Sequence, residues 1–164
     1  MPNHVSNSIE FACDVGLAEK IIDEITKEGC VDFETLIPMP LHVYQGDSSK
    51  VDDDDFKTNS WYPWSVANWG TKWNAYAGSI QNSNGKVRIY FQTAWSVPYP
   101  IIIAFANKYG LEFTHKYYDE GDNFWGVDKW KAGTRVERNY NPEDIHHELY
   151  RELLRREWEE EDAD

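Results

Sequence analysis

Apolar positions recur at helical spacing in some stretches of the chain and alternate with polar ones in others. Val15, Leu17, Ala18, Ile21, Ile22 and Ile25 fall at helical spacing, behind Asp14 as an N-cap and ahead of Gly29 as a stop. Ser96 to Tyr109 predicts a second helix, with Pro98 in its first turn and Gly110 past its end. A short helix is expected around Trp64 to Trp69, stopped by Gly70. Asn141-Pro142-Glu143-Asp144 opens another: a cap, Pro at the first helical position, then two acids on the positive end of the dipole. Ile145, Leu149, Leu153, Leu154 and Trp158 follow at helical spacing. Glu148, Glu152, Arg151, Arg155 and Arg156 fit its solvated side, with Glu152 and Arg156 as an i,i+4 pair.

Strands are expected at Asn7 to Ala12, Val31 to Ile37, Ala75 to Gln81, Lys86 to Thr93 and Leu111 to Tyr118. Asn84-Gly85 marks a hairpin, because both residues tolerate positive φ. A further hairpin, Asn123 to Lys129 with Thr134 to Arg138, turns at Ala132-Gly133. Residues 41–60, rich in Gly, Ser, Asp and Asn, read as an exposed loop. The order predicts an α+β fold: a ferredoxin-like antiparallel sheet, βαββαβ, with an insertion after the first helix and an added C-terminal helix. Residues 1–140 then form one domain that includes the insertion 30–73, and residues 141–164 form an amphipathic acidic helix with a frayed tail.

Composition sharpens this picture. The 164 residues suit one domain. The net charge of −13 argues against sequence-independent binding to duplex DNA. That charge is segregated. Residues 1–60 hold 13 acids and 4 bases, residues 61–141 hold 6 acids and 9 bases, and residues 142–164 hold 10 acids and 3 bases. Of the 25 aromatic residues, 19 lie in the mildly basic centre. No apolar run is long enough to span a bilayer, and no signal peptide is expected at the start. Two cysteines, Cys13 and Cys30, cannot make a disulfide framework, which suits a reducing, cytoplasmic setting.

Several motifs together resemble a family of phages and plasmids often called YubB-like. They are Met1-Pro2-Asn3-His4-Val5 with Asn7, Leu36-Ile37-Pro38-Met39-Pro40, and Asn68-Trp69-Gly70-Thr71-Lys72-Trp73-Asn74-Ala75. Thr93-Ala94-Trp95-Ser96 and Asp119-Glu120-Gly121 with Asn123, Phe124 and Gly126 complete the set. The resemblance covers about residues 1–127, and the acidic helix from Asn141 onward lies outside it. Val97 stands where the family usually has a second Pro after the Trp-Ser motif. The resemblance implies a ferredoxin-like domain and a host that is an infected or plasmid-bearing bacterium. It brings no catalytic residues.

The sequence offers two candidate surfaces. The first is acidic: Asp52, Asp53, Asp54 and Asp55 with Glu157, Glu159, Glu160 and Glu161. It would face a host protein with a basic surface, one that normally handles nucleic acid, as anti-CRISPR, anti-restriction and other DNA-mimicking inhibitors do. The second is the aromatic centre, with Trp69, Lys72, Trp73, Trp95, Asp119 and Glu120, where flat rings and a cation suit single-stranded nucleic acid. Trp69, Trp73 and Trp95 are expected to be largely buried and to join the insertion to the core. An enzyme acting on a small molecule near Lys72, Asp119 and Glu120 is the third class. Adjacent carboxylates on an extended segment point apart, so Asp119-Glu120-Gly121-Asp122 reads first as a turn. His4, His42, His115, His146 and His147 lack ligand spacing, and no phosphate-cradling glycine loop is present, so no metal, cofactor or catalytic residue is assigned.

Overall fold

A computed structural model describes residues 3–43 and 60–155. Asn84 and Gly85 both take positive φ, 51° and 92°, and this turn matches the twist of the strands it joins. A side chain at Gly85 would also meet the Cys13 carbonyl oxygen at 2.1 Å, so close approach and conformation both demand glycine. The strands are β4 (Tyr76–Ser83) and β5 (Lys86–Ala94). Before them come β1 (His4–Ala12), α1 (Val15–Ile25), a ribbon of β2 (Thr26–Lys27) and β3 (Cys30–Val31), and α2 (Trp61–Asn68). After them come α3 (Tyr99–Tyr109), β6 (Phe113–Asp119), β7 (Trp125–Lys131), β8 (Thr134–Tyr140) and α4 (His146–Tyr150).

One antiparallel sheet runs β4-β5-β1-β6-β7-β8, so the fold is α+β. Side chains alternate between its faces. Val87, Ile89 and Phe91 of β5 and Ile9 and Phe11 of β1 meet α1 through Ile21 and Ile25, and α3 through Ile101, Ile102 and Phe105. The opposite face carries Tyr90 and Tyr118, packed by Leu149, Leu153 and Leu154 of the C-terminal segment. Both faces are covered, which explains why β1 is buried at five consecutive positions, Val5 to Ile9, instead of alternating.

Local chemistry moves several expected boundaries. α1 stops at Ile25, because Thr26 turns extended (φ −119°, ψ 152°) and opens the ribbon. Gly29 therefore serves the ribbon's turn beside Glu28, both at positive φ, instead of ending a helix. The strand expected at Val31 to Ile37 shrinks to Cys30–Val31. Asp32 accepts a hydrogen bond from the Glu34 N–H and starts a 3₁₀ turn over Phe33–Thr35. α3 begins at Tyr99, not Ser96, because Pro98 disfavours the helical region for the residue before it and itself stands as the non-helical cap (φ −82°, ψ 61°), while Pro100 is tolerated in the first turn, where its missing N–H has no partner to lose. Gly110 closes it in the left-handed conformation.

The C-terminal segment is less regular than its spacing predicts. It runs from a 3₁₀ turn at Glu143–Ile145 through α4 to a π turn at Arg151–Arg155. The i→i+5 spacing lets Leu154 join Leu149 and Leu153 against the sheet. Glu152, expected on the solvated side, instead bonds Lys116 at 2.9 Å over the middle of that face. Burial pulls the Lys116 ammonium down, and Glu152 with Glu10 more than reverses it, leaving its pKa above the ordinary value. Trp158 and Arg156 lie outside the described residues.

Truncating Leu153 to Ala should cost about 2–5 kcal/mol, read from denaturant midpoints at constant m-value. An unchanged midpoint would show that the C-terminal segment does not pack as a second core.

Candidate functional site: an arginine and aromatic cleft

The β7–β8 hairpin turns at Ala132 and Gly133, both at positive φ, and brings Trp130 and Arg135 close together in register. Beside them are the first two turns of α3, with Tyr99 and Ile103. Tyr99, Ile103, Trp130, Thr134, Arg135 and Arg138 line an open cleft of about 680 Å³. A second hollow of about 420 Å³, lined by Gly70, Ser96, Pro100, Phe124 and Tyr140, shares Tyr99 and Arg138 with the first.

The Arg135 guanidinium lies 5.7 Å from the Tyr99 ring centre and 5.9 Å from that of Trp130. Arg138 lies 5.2 Å from the Tyr140 ring centre. Two like charges in one cleft repel, and Asp128 stands behind them. Its carboxylate is 3.5 Å from Arg135 Nη1, and it faces Arg138 across the β7–β8 register. Asp128 is fully buried. Burial pushes its carboxyl above the usual range, against the pull of Arg135 and Arg138.

More polar groups sit behind Asp128 than the core needs. His115 is opposite Asp128 in the β6–β7 register and is also fully buried. Asn7 Nδ2 donates to the Val5 carbonyl and to Thr93 Oγ1, each at 3.1 Å. Its Oδ1 is thus an acceptor, and His115 Nε2, 2.9 Å away, carries the proton. His115 Nδ1 and Asp128 Oδ1 have no hydrogen-bond partner among the described residues. The Tyr117 phenol fits beside Tyr99 only because position 126 is glycine, where a Cβ would lie 2.3 Å from the phenol oxygen. Burial raises the pKa of both phenols.

The residues singled out from sequence divide. Trp69 is core: it is buried, its indole N–H donates to the Ile37 carbonyl at 2.8 Å, and Trp64 packs edge-on against it. Trp73 and Trp95, expected to be buried, are 36% and 44% exposed. They hold Lys72 instead of joining the core, with its Nζ 4.8 Å and 4.7 Å from their ring centres. Asp119 and Glu120 do not pair. Asp119 is buried and accepts from the Asn123 amide group at 2.8 Å, while Glu120 accepts from the His4 N–H at 2.8 Å, so both serve the turn. Asp52, Asp53, Asp54, Asp55, Glu157, Glu159, Glu160 and Glu161 lie outside the described residues. Sequence reasoning missed Tyr99, Asp128, Trp130, Arg135 and Arg138. One signal was available: Asp128 occupies the inward phase of a strand two residues before an inward tryptophan, where a charge is costly without a purpose.

Residues 69–163 match the family model described as the ferredoxin-like domain in Api92-like protein. The chain belongs to this family. The motif resemblance and the ferredoxin-like expectation agree with it. One correction follows: the match runs to Ala163, so the C-terminal helix expected to lie outside the family pattern falls inside it. The crystal structure of protein Api92 from Yersinia pseudotuberculosis is similar at a TM-score of 0.52 and 15% identity, a likeness of fold. That likeness covers 70% of this chain and 41% of the Yersinia protein. No curated protein matches the sequence. Among the described residues no helix is long and apolar enough to cross a membrane, and no cluster of His, Cys, Asp and Glu is placed to hold a metal ion.

The buried His115 makes stability depend on pH. Desolvation lowers its pKa from 6.5 to about 3 in the folded chain. Between those values the unfolded chain takes up a proton that the folded chain refuses. The stability is therefore full above 6.5 and is lost as pH falls, by about 1.4 kcal/mol per pH unit. Urea unfolding of wild type and His115→Gln from pH 6 to 4.5 should differ in slope by about that amount. Parallel curves would show that His115 is protonated in the folded state.

Proposed function

We propose that this chain works by binding, and that the arginine and aromatic cleft holds a short stretch of single-stranded nucleic acid. The observation that carries the reading is the placement of Arg135 over the flat faces of Tyr99 and Trp130, with Arg138 lining the same open hollow. Guanidinium groups suit phosphate oxygens, and aromatic faces accept any base by stacking. The net charge of −13 supports a short single strand over a duplex, since a duplex would bring more phosphate against the acidic flanks. In this reading β1, α1, β4, β5, α3 and β6 are the βαββαβ core, with residues 30–73 inserted and the C-terminal helix added.

A second reading rests on the segregation of charge, with the acids concentrated in residues 1–60 and 142–164. It makes the chain a cytoplasmic accessory protein of phage or plasmid type. Its acidic segments would inhibit a host protein that handles nucleic acid, in the manner of anti-CRISPR or anti-restriction DNA mimics.

Anisotropy of a labelled twelve-nucleotide single strand separates the two. On the first reading Arg135→Gln and Arg138→Gln each weaken binding about tenfold, or about 1.4 kcal/mol. Each also lowers the slope of log K against log salt by about 0.7. Should wild type hold no single strand at any salt, yet retain a host protein that salt releases, the acidic reading replaces the first.

A further inference from the structure

Lys72 ends among three aromatic rings. Its ammonium is 4.7 Å from the Trp95 ring centre, 4.8 Å from Trp73 and 5.6 Å from Tyr62. It forms no salt bridge with a carboxylate among the described residues, and the three rings are its neighbours there. A primary ammonium is a compact, strongly hydrated point charge, so contact with rings replaces part of its hydration. Trp73 and Trp95 are 36% and 44% exposed, so the rings open to solvent.

The backbone is committed to this arrangement. Trp95 takes φ 72°, a conformation that bulky side chains rarely adopt. Its N–H is fixed to the Asn3 carbonyl at 2.9 Å, and the next residue, Ser96, donates its hydroxyl to the Gly70 carbonyl. The loops that carry Trp73 and Trp95 are thereby tied together. A strained tryptophan buried in the core would be offset by packing. This one is nearly half exposed, and what it gains is a face toward a cation.

We propose that Tyr62, Trp73 and Trp95 form a binding cage for a methylated ammonium group, and that Lys72 is the resident that such a group displaces. Methylation spreads the charge and replaces N–H hydration with C–H contact to the rings, so a methylated cation gains more from this cage than Lys72 does. The tether of Lys72 to its own loop keeps the cage occupied when no ligand is present. The proposal is independent of the nucleic-acid reading, because none of the three rings lines the arginine cleft.

The test uses the full ¹⁵N-labelled chain and tetramethylammonium chloride, with sodium chloride at matched ionic strength as control. The indole N–H resonances of Trp73 and Trp95 should shift and saturate with tetramethylammonium only. Lys72→Met, which keeps the stem and removes the charge, should tighten binding at least threefold, and Lys72→Gln serves if Met perturbs the fold. Trp95→Leu should weaken binding at least tenfold. Choline and a trimethyl-lysine peptide distinguish the source. Equal affinity points to a small cation, and a tenfold preference for the peptide points to a modified protein tail. Shifts no larger than those in sodium chloride would overturn the cage. So would binding by the Lys72 variants alone, because Lys72 would then be a permanent plug, or variants that bind no tighter than wild type, because Lys72 would then not compete for the site.

Discussion

A central strand covered on both faces is the constraint on which the rest depends. β1 pairs with β5 on one edge and β6 on the other, and both its faces are packed. A polar side chain on it therefore gains from a partner inside the protein, because an unmet donor or acceptor costs more than a formed bond returns, and the small Ser8 hydroxyl goes without one among the described residues. Asn7 answers on the helical face by bonding Thr93 and His115 in neighbouring strands. Glu10 answers on the other face by meeting Arg88 and Lys116, with Glu152 closing over Lys116. Each solution ties three or four elements together. The C-terminal segment, which looks like an appendage, is thus part of the sheet's electrostatics as well as its second core.

The cleft follows from the same constraint one strand further out. Among the described residues, His115 on β6 has one ring nitrogen without a hydrogen-bond partner, and Asp128, opposite on β7, has one such oxygen. Polar atoms this deep are retained at a cost, and what they support is visible at the surface. Asp128 supplies the negative charge that lets Arg135 and Arg138 occupy one hollow. Removing its charge would leave two guanidiniums facing each other with less to hold Arg135 against Tyr99 and Trp130. Asp128 is thus a positioning residue for the cleft, acting from behind the aromatic rings.

The parts of the fold legible in sequence were those set by local chemistry. Asn84-Gly85, Asp14 and Gly110 each act through their own backbone, and each turn or cap formed where it was expected. The misplacements have other causes. Gly29 has the right conformation for a helix stop, but Thr26 ends the helix first and the glycine turns a ribbon. Trp73 and Trp95 have the size of core residues, yet a neighbouring lysine gives their faces a partner outside the core. Glu152 has the charge of a surface residue, yet a lysine on the sheet draws it inward. For Trp95 and Glu152 a partner distant in sequence decided, and single-sequence periodicity carries no information on which distant side chain will arrive.

The charge distribution and the cleft impose opposite demands on a ligand, and their ranges differ. The net charge of −13 repels anions at distance. Screening confines that repulsion to about 8–10 Å at physiological ionic strength. On the proposed reading the two arginines would act at contact, beside aromatic faces that accept a flat ring by stacking. A ligand that spreads negative charge widely, such as a duplex, meets the repulsion over its whole length and gains the contacts once. A ligand that concentrates one or two charges beside a flat ring escapes most of the repulsion and gains the same contacts. On the proposed reading, an acidic body around a basic cleft would favour compact anions with aromatic character, and that preference would sharpen as salt falls, because the repulsion then reaches further while the contacts stay local.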